Sequence, residues 1–131
     1  MVTYRDSLGG IQTHQLHGFV VGWPQPPSPE THLALLANSD HLVLALDEPT
    51  DRVVGFITAL SDGILSACIT FLEVLPTHQR QGIGSELVRR MLHQLRGVYA
   101  VDLICDSQLR SFYARFGMTP ATGMLIRRQP L

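Results

Sequence analysis

The chain has 131 residues against roughly 150 per domain, so a two-domain enzyme is excluded and one domain with one core is expected over residues 1–131. Hydrophobic residues make up 45% and charged residues 16%, with mean hydropathy +0.14, too apolar for a disordered chain and too interrupted by polar residues for a membrane protein. Ten Lys+Arg against eleven Asp+Glu give a formal charge of −1, so there is no overall basic surface for a phosphate backbone and nucleic acid is not expected as a partner.

Residues 2 to 5 read as a short strand, and residues 11 to 21 as a helix carrying Ile11, Leu16, Phe19 and Val20 on one side. The proline-rich stretch from Trp23 to Pro29 must be a loop, because proline lacks the N–H and restricts its neighbour. It ends in a start signal: Ser28 can cap, Pro29 suits the first helical position, and Leu33, Leu35 and Leu36 supply a buried side up to about Asn38. Leu42 to Leu46 and Val53 to Leu60 form a hairpin about the turn at 48–51, and Ser61-Asp62-Gly63 leads into a third antiparallel strand, Ile64 to Leu75. A segment without strand pattern, 77–84, enters a helix in which Leu87, Val88, Met91, Leu92 and Leu95 share a face opposite Arg89, Arg90 and His93. Val98 to Cys105 then reads as a buried strand, Ser107 to Phe116 as a helix ended by Gly117, and Met118 to Arg127 as a last strand. The order predicts an α+β fold with a mixed, mostly antiparallel sheet, in which the helical crossover forces strands 64–75 and 98–105 to lie parallel.

Cys68 and Cys105 are neither a disulfide framework nor a zinc site, which fits a reducing cytoplasm. No export signal or apolar run of 18 residues is indicated, so no membrane partner is expected. His14-x-x-His17 has helical spacing but lacks a third ligand in its segment, so no metal is expected.

The most informative segment is Gln79-Arg80-Gln81-Gly82-Ile83-Gly84, where a strand gives way to an amphipathic helix. Free backbone N–H groups and the positive end of the helix dipole suit a pyrophosphate there. The dinucleotide fingerprint fails at Leu87, and the P-loop fails because the chain has no lysine. A plain helix start remains the alternative.

Val74-x-Pro76-x-x-Gln79-Arg80-x-Gly82-x-Gly84, followed about thirty residues later by Phe112-Tyr113-x-x-x-Gly117-Met118, resembles the GNAT superfamily of acyl-CoA-dependent N-acyltransferases over residues 40 to 128. The resemblance implies a central parallel pair splayed around acyl-CoA, with helices on both faces. It implies that Arg80, Gln81, Gly82, Ile83, Gly84 and Ser85 cradle the CoA pyrophosphate, and that the backbone of Leu72, Glu73 and Val74 pairs with the pantetheine arm. Tyr113 falls at the family's general-acid position, with a Tyr packed under the sheet as the alternative. Asp106 stands where many relatives have Asn, at a position that contacts the cofactor or the incoming amine.

Glu73 is the one carboxylate in an otherwise apolar strand, and burial would raise its pKa toward that of a base. Binding the amine's charge, or satisfying a strand-edge backbone group, are its alternatives. No residue is set up as a nucleophile: Ser85 and Ser111 lack a nearby His, and Cys68 and Cys105 lack an electropositive partner. The expected activity is transfer of an acetyl group from acetyl-CoA to a primary amine, on a small molecule or peptide, by direct attack in a ternary complex. A non-catalytic acyl-CoA-binding or interaction domain is the alternative. The short N-terminal region leaves the acceptor groove open or completed by a second subunit, as in a homodimer.

Overall fold

The structure, a computed structural model, describes residues 1–20 and 23–128. One five-stranded sheet runs in the order β1 (Val2–Arg5), β2 (His41–Asp47), β3 (Arg52–Ser61), β4 (Ser66–Val74) and β5 (Ala100–Asp102). The first four pair antiparallel and β5 lies parallel to β4, as the crossover requires. Leu42 to Leu46 are all buried, which marks a strand covered on both faces. On one face lies α2 (Ile83–Gln94), burying Ile83, Leu87, Val88 and Met91. It approaches closely at Gly55, where an added Cβ would stand 3.2 Å from both Ile83 and Leu87 side-chain carbons. The neighbouring Phe56 points to the other face, where it meets Phe19, from the segment before the proline-rich loop, and His32 of α1 (Pro29–Ala37).

α1 starts as its sequence predicts: Thr31 N–H donates to Ser28 Oγ at 3.1 Å, and Pro29 occupies the first turn. Ser28→Ala should therefore cost about 1 kcal/mol of stability, read as a lower midpoint in urea with an unchanged slope.

The helix expected over 11–21 does not form. Thr13–Gln15 make only a 3-10 turn, although Ile11, Leu16 and Phe19 are buried as anticipated, and Val21 lies outside the described residues. A tertiary bond overrides the local pattern: Val20, with φ 59°, donates its N–H to Glu73 on β4, 53 residues away. The strand expected from Ile64 begins at Ser66, because the Asp62 carboxylate takes the amides of Ile64, Leu65 and Ser66 at 2.8 to 3.1 Å. Those three donors also hold the exposed Asp62 below the ordinary carboxylate range.

The strand expected over 98–105 shrinks to three residues, only half-buried at Val101. The helix expected over 107–116 is a 3-10 turn at Ser107–Leu109 followed by α3 (Arg110–Ala114). The strand expected over 118–127 is absent. An apolar run becomes a strand only beside a sheet edge with free groups, and this one pairs with none, so Met124 and Ile126 stay 95% and 80% exposed. The parallel pair consequently stands at the edge of the described sheet rather than in its centre. No helix among the described residues is long and apolar enough to cross a membrane.

Candidate active site

The site is built around a divergence of β4 and β5. Their ladder covers only Ser66↔Ala100, Ala67↔Val101 and Cys68↔Asp102, yet β4 continues to Val74. A bulge marks the point of parting. Thr58 pairs with Phe71 and Ala59 with Ile69, so Thr70 is the extra residue, and its hydroxyl meets that of Thr58 at 2.8 Å. A bulge bends and twists its strand, which turns the second half of β4 away from the chain that follows β5. The result is a groove of about 1230 Å³ whose walls include Leu72 and Glu73 on one side and Cys105, Asp106 and Tyr113 on the other.

At the end of β4 the chain makes a 3-10 turn (Pro76–His78) and enters α2. Gln79 Nε2 donates to the Val74 carbonyl at 3.0 Å, fastening this loop to the strand. Arg80 has φ 63° and Gly82 φ 82°, a left-handed backbone that favours glycine. Gly82 caps α2 without any side-chain acceptor, so the first-turn N–H groups are not taken by a cap. An added Cβ at Gly82 would point into open space, with nothing within 4 Å. The Cβ direction of Gly84, by contrast, faces Phe112 and Val74 at 3.8 and 3.9 Å, so α2 packs closely against β4 and α3 at this residue.

Sequence reasoning missed Arg115. Its guanidinium donates to Ser85 Oγ at 3.3 Å and lies over the Phe112 ring at 5.0 Å, bringing a cation to the first turn of α2. The available signal was its place three residues after Phe112, where it caps the C-terminus of α3.

Tyr113 is 9% exposed, packed edge-on to Phe112 at 5.0 Å. Burial, then the nearby Cys105, push its phenol above the ordinary value of 10, so it holds its proton throughout the neutral range. Cys105 and Tyr113 are thus brought together at the groove, with both cysteines as free thiols. Asp106 is exposed and precedes the 3-10 turn without capping it.

Glu73 is half-buried rather than enclosed, which departs from the expectation of a buried carboxylate. Both of its oxygens stand 2.8 Å from the Val20 amide nitrogen. Left-handed φ at a β-branched residue is strained, and this charge-assisted bond holds Val20 there. Glu73 therefore ties the segment before the proline-rich loop to β4. Trp23 of that loop tilts against Phe71 at 6.4 Å, so the loop forms an outer wall of the groove. His32, which the sequence reading passed over in favour of the leucines of α1, also lines it. Its signal was its position one helical turn before Leu36, on the same face.

Of the other histidines singled out, His17 Nδ1 meets the His14 carbonyl at 3.0 Å and His78 Nδ1 meets Thr77 Oγ1 at 2.8 Å. No group of three or more His, Cys, Asp or Glu among the described residues is placed to hold a metal ion.

The chain is similar to known acetyltransferases in sequence and in fold. The model of a family described as acetyltransferase (GNAT) matches residues 9–118. A putative acetyltransferase from Deinococcus radiodurans is 45% identical, with a TM-score of 0.93 over 97% of this chain and 88% of that one. A GNAT-family acetyltransferase from Streptococcus pneumoniae is 32% identical, with a TM-score of 0.78 over 99% of this chain and 100% of that one. Among curated proteins, GCN5-related N-acetyltransferase 1, chloroplastic, of Arabidopsis thaliana is 28% identical over 86% of this chain and 59% of its own length. The chain spans between half and two thirds of the first such relatives.

Proposed function

The chain belongs to the acetyltransferase (GNAT) family, and from that premise we propose that it acts as a single domain over residues 1–131 that moves an acetyl group from acetyl-CoA to a primary amine on a small molecule or peptide. The observation that carries the reading is the gap that opens where the ladder stops at Cys68/Asp102 while β4 runs on to Val74. An extended pantetheine arm is the kind of ligand that an unpaired strand edge takes up, with Leu72, Glu73 and Val74 supplying the backbone groups. The first turn of α2, uncapped at Gly82 and open where a Cβ would stand, fits a pyrophosphate. In this reading Arg80 to Ser85 hold it by backbone amides, and Arg115 adds charge beside Ser85. Asp106 lines the same groove, and in this reading it faces the cofactor.

Acetyl-CoA supplies the acyl group as a thioester. Tyr113 holds a proton at Oη for the departing sulfur, and its raised pKa keeps that proton in place at neutral pH. Glu73 attracts the incoming ammonium and removes its proton directly or through a water. The Cys68 and Cys105 thiols are free, which suits a reducing cytoplasm.

Glu73→Gln separates base from tether, because the amide keeps one oxygen for the Val20 N–H. CoA affinity should stay within a few-fold while kcat falls at neutral pH and recovers at high pH, where the amine deprotonates unaided. A defect wholly in the amine KM would assign Glu73 to charge binding alone. The reading itself is tested by incubating the protein with acetyl-CoA and a panel of amines while following free thiol. Amine-dependent thiol release is expected, whereas tight CoA binding with no release above the background of hydrolysis would make the chain a binder.

A further inference from the structure

We infer that His32 is a specificity-determining contact for the acyl acceptor, its Nε2 hydrogen-bonding a hydroxyl or equivalent neutral polar group carried by a short primary amine. The inference rests on the reading of the groove as an amine-acetylating site. His32 is 3% exposed, and its ring is met edge-on by Phe19 at 5.2 Å and at a tilt of 58° by Phe56 at 4.4 Å. In this aromatic setting Nε2 is buried without a hydrogen-bond partner. The same residue lines the groove with Thr31, Leu35, Phe56 and Glu73. An orphaned polar nitrogen in the interior is destabilising, and native structures seldom keep one without a use. Here the missing partner can come from a molecule in the groove.

The chemistry of that partner follows from the surroundings. Burial draws the imidazole pKa down to about 4, so the ring is neutral at physiological pH and too weakly basic to serve as the proton acceptor. Hydrogen bonding is what remains. A neutral imidazole has one donor and one acceptor nitrogen, and a hydroxyl answers either tautomer. An ionised partner would have to shed its water against the rings of Phe19 and Phe56, which selects for a neutral group. Position fixes the spacing as well. Phe56 and Glu73 are paired in register on one face of the sheet, and His32 lies over Phe56. An amine at Glu73 and a hydroxyl at His32 would therefore both lie beside Phe56, which suits an acceptor with a short carbon chain between the two groups.

The test compares ω-amino alcohols of two to four carbons with n-alkylamines one carbon longer, pairs that differ by hydroxyl for methyl. In the wild type, kcat/KM should favour the best amino alcohol over its alkyl partner by at least about tenfold. His32→Phe should reverse the preference, and His32→Gln, which keeps a donor and an acceptor, should retain part of it. A purely structural His32 would lower both substrates together and leave the ratio unchanged. Independently of turnover, the Nε2 resonance of ¹⁵N-labelled wild-type protein should shift on adding 3-amino-1-propanol and not on adding 1-butylamine. An unchanged ratio in both variants with no selective shift would overturn the inference and leave amine acetylation standing. Absence of thiol release with every amine would remove the acetylation reading, and this inference with it.

Discussion

Replacing Tyr113 by Phe is expected to lower kcat about 10²-fold while leaving acetyl-CoA affinity and folding nearly unchanged. The ring that packs against Phe112 is retained, and only the phenolic proton is lost. General acid catalysis typically contributes about 10²- to 10⁴-fold, and a thiolate is a good enough leaving group to put this case at the lower end. The pH profile supplies the sharper reading. Burial raises the Tyr113 pKa above 10, so the wild-type kcat should hold through neutral pH and fall only on the far alkaline side as the phenol ionises. That limb should vanish in the variant. A Tyr113→Phe protein turning over at the wild-type rate from pH 6 to 10 would reduce Tyr113 to a packing residue.

The second large effect is expected at the start of α2. Gly82→Val should weaken CoA binding at least tenfold, which corresponds to about 1.4 kcal/mol. Gly82 has φ 82°, and a β-branched residue cannot hold that conformation without strain, so the cap would rotate and carry the first-turn N–H groups out of alignment. The new side chain would also fill the open space into which the Cβ points. Gly84→Ala provides the contrast. Its methyl meets Phe112 and Val74 at ordinary contact distance, so CoA affinity should stay near wild type. Arg80→Ala should cost less than Gly82→Val and should flatten the salt dependence, since only a screened charge is removed. Calorimetric titration with CoA separates these cases, and wild-type affinity in Gly82→Val would remove the cradle.

The parts of the fold that were legible in the sequence are those whose burial follows a single period. Leu87, Val88, Met91 and Leu95 specify the inner face of α2, and the apolar runs of β2 to β4 with polar turns between them specify the hairpins. The parallel placement of β5 follows from the crossover alone. What escaped was set by contacts distant in sequence. Ile11, Leu16 and Phe19 look helical because they are buried, yet the Glu73 bond to Val20 draws the chain into an irregular path. Residues 118–127 have a strand's composition without a strand's neighbour. At the site, Tyr113 and the Gly82 turn could be named from the motifs that carry them. Glu73 was named, with a backbone group among its alternative partners, but nothing in the sequence singled out the Val20 amide 53 residues away. His32 and Arg115 carry no motif, and only the packing of α1 over Phe56 and of α3 against α2 brings the first to the groove and the second to the first turn of α2.

Amide hydrogen exchange with and without CoA tests the central claim most directly, because the claim concerns backbone groups. If the gap between β4 and β5 receives the pantetheine and the first turn of α2 the pyrophosphate, CoA should slow exchange in two separated stretches. One is the part of β4 beyond the end of its ladder with β5, residues 69–74, and the other is residues 81–85. Exchange on β1 and β2, remote from the groove, should be unaffected. Binding that protects neither stretch, or protects the α2 turn while leaving residues 69–74 unchanged, would contradict the account.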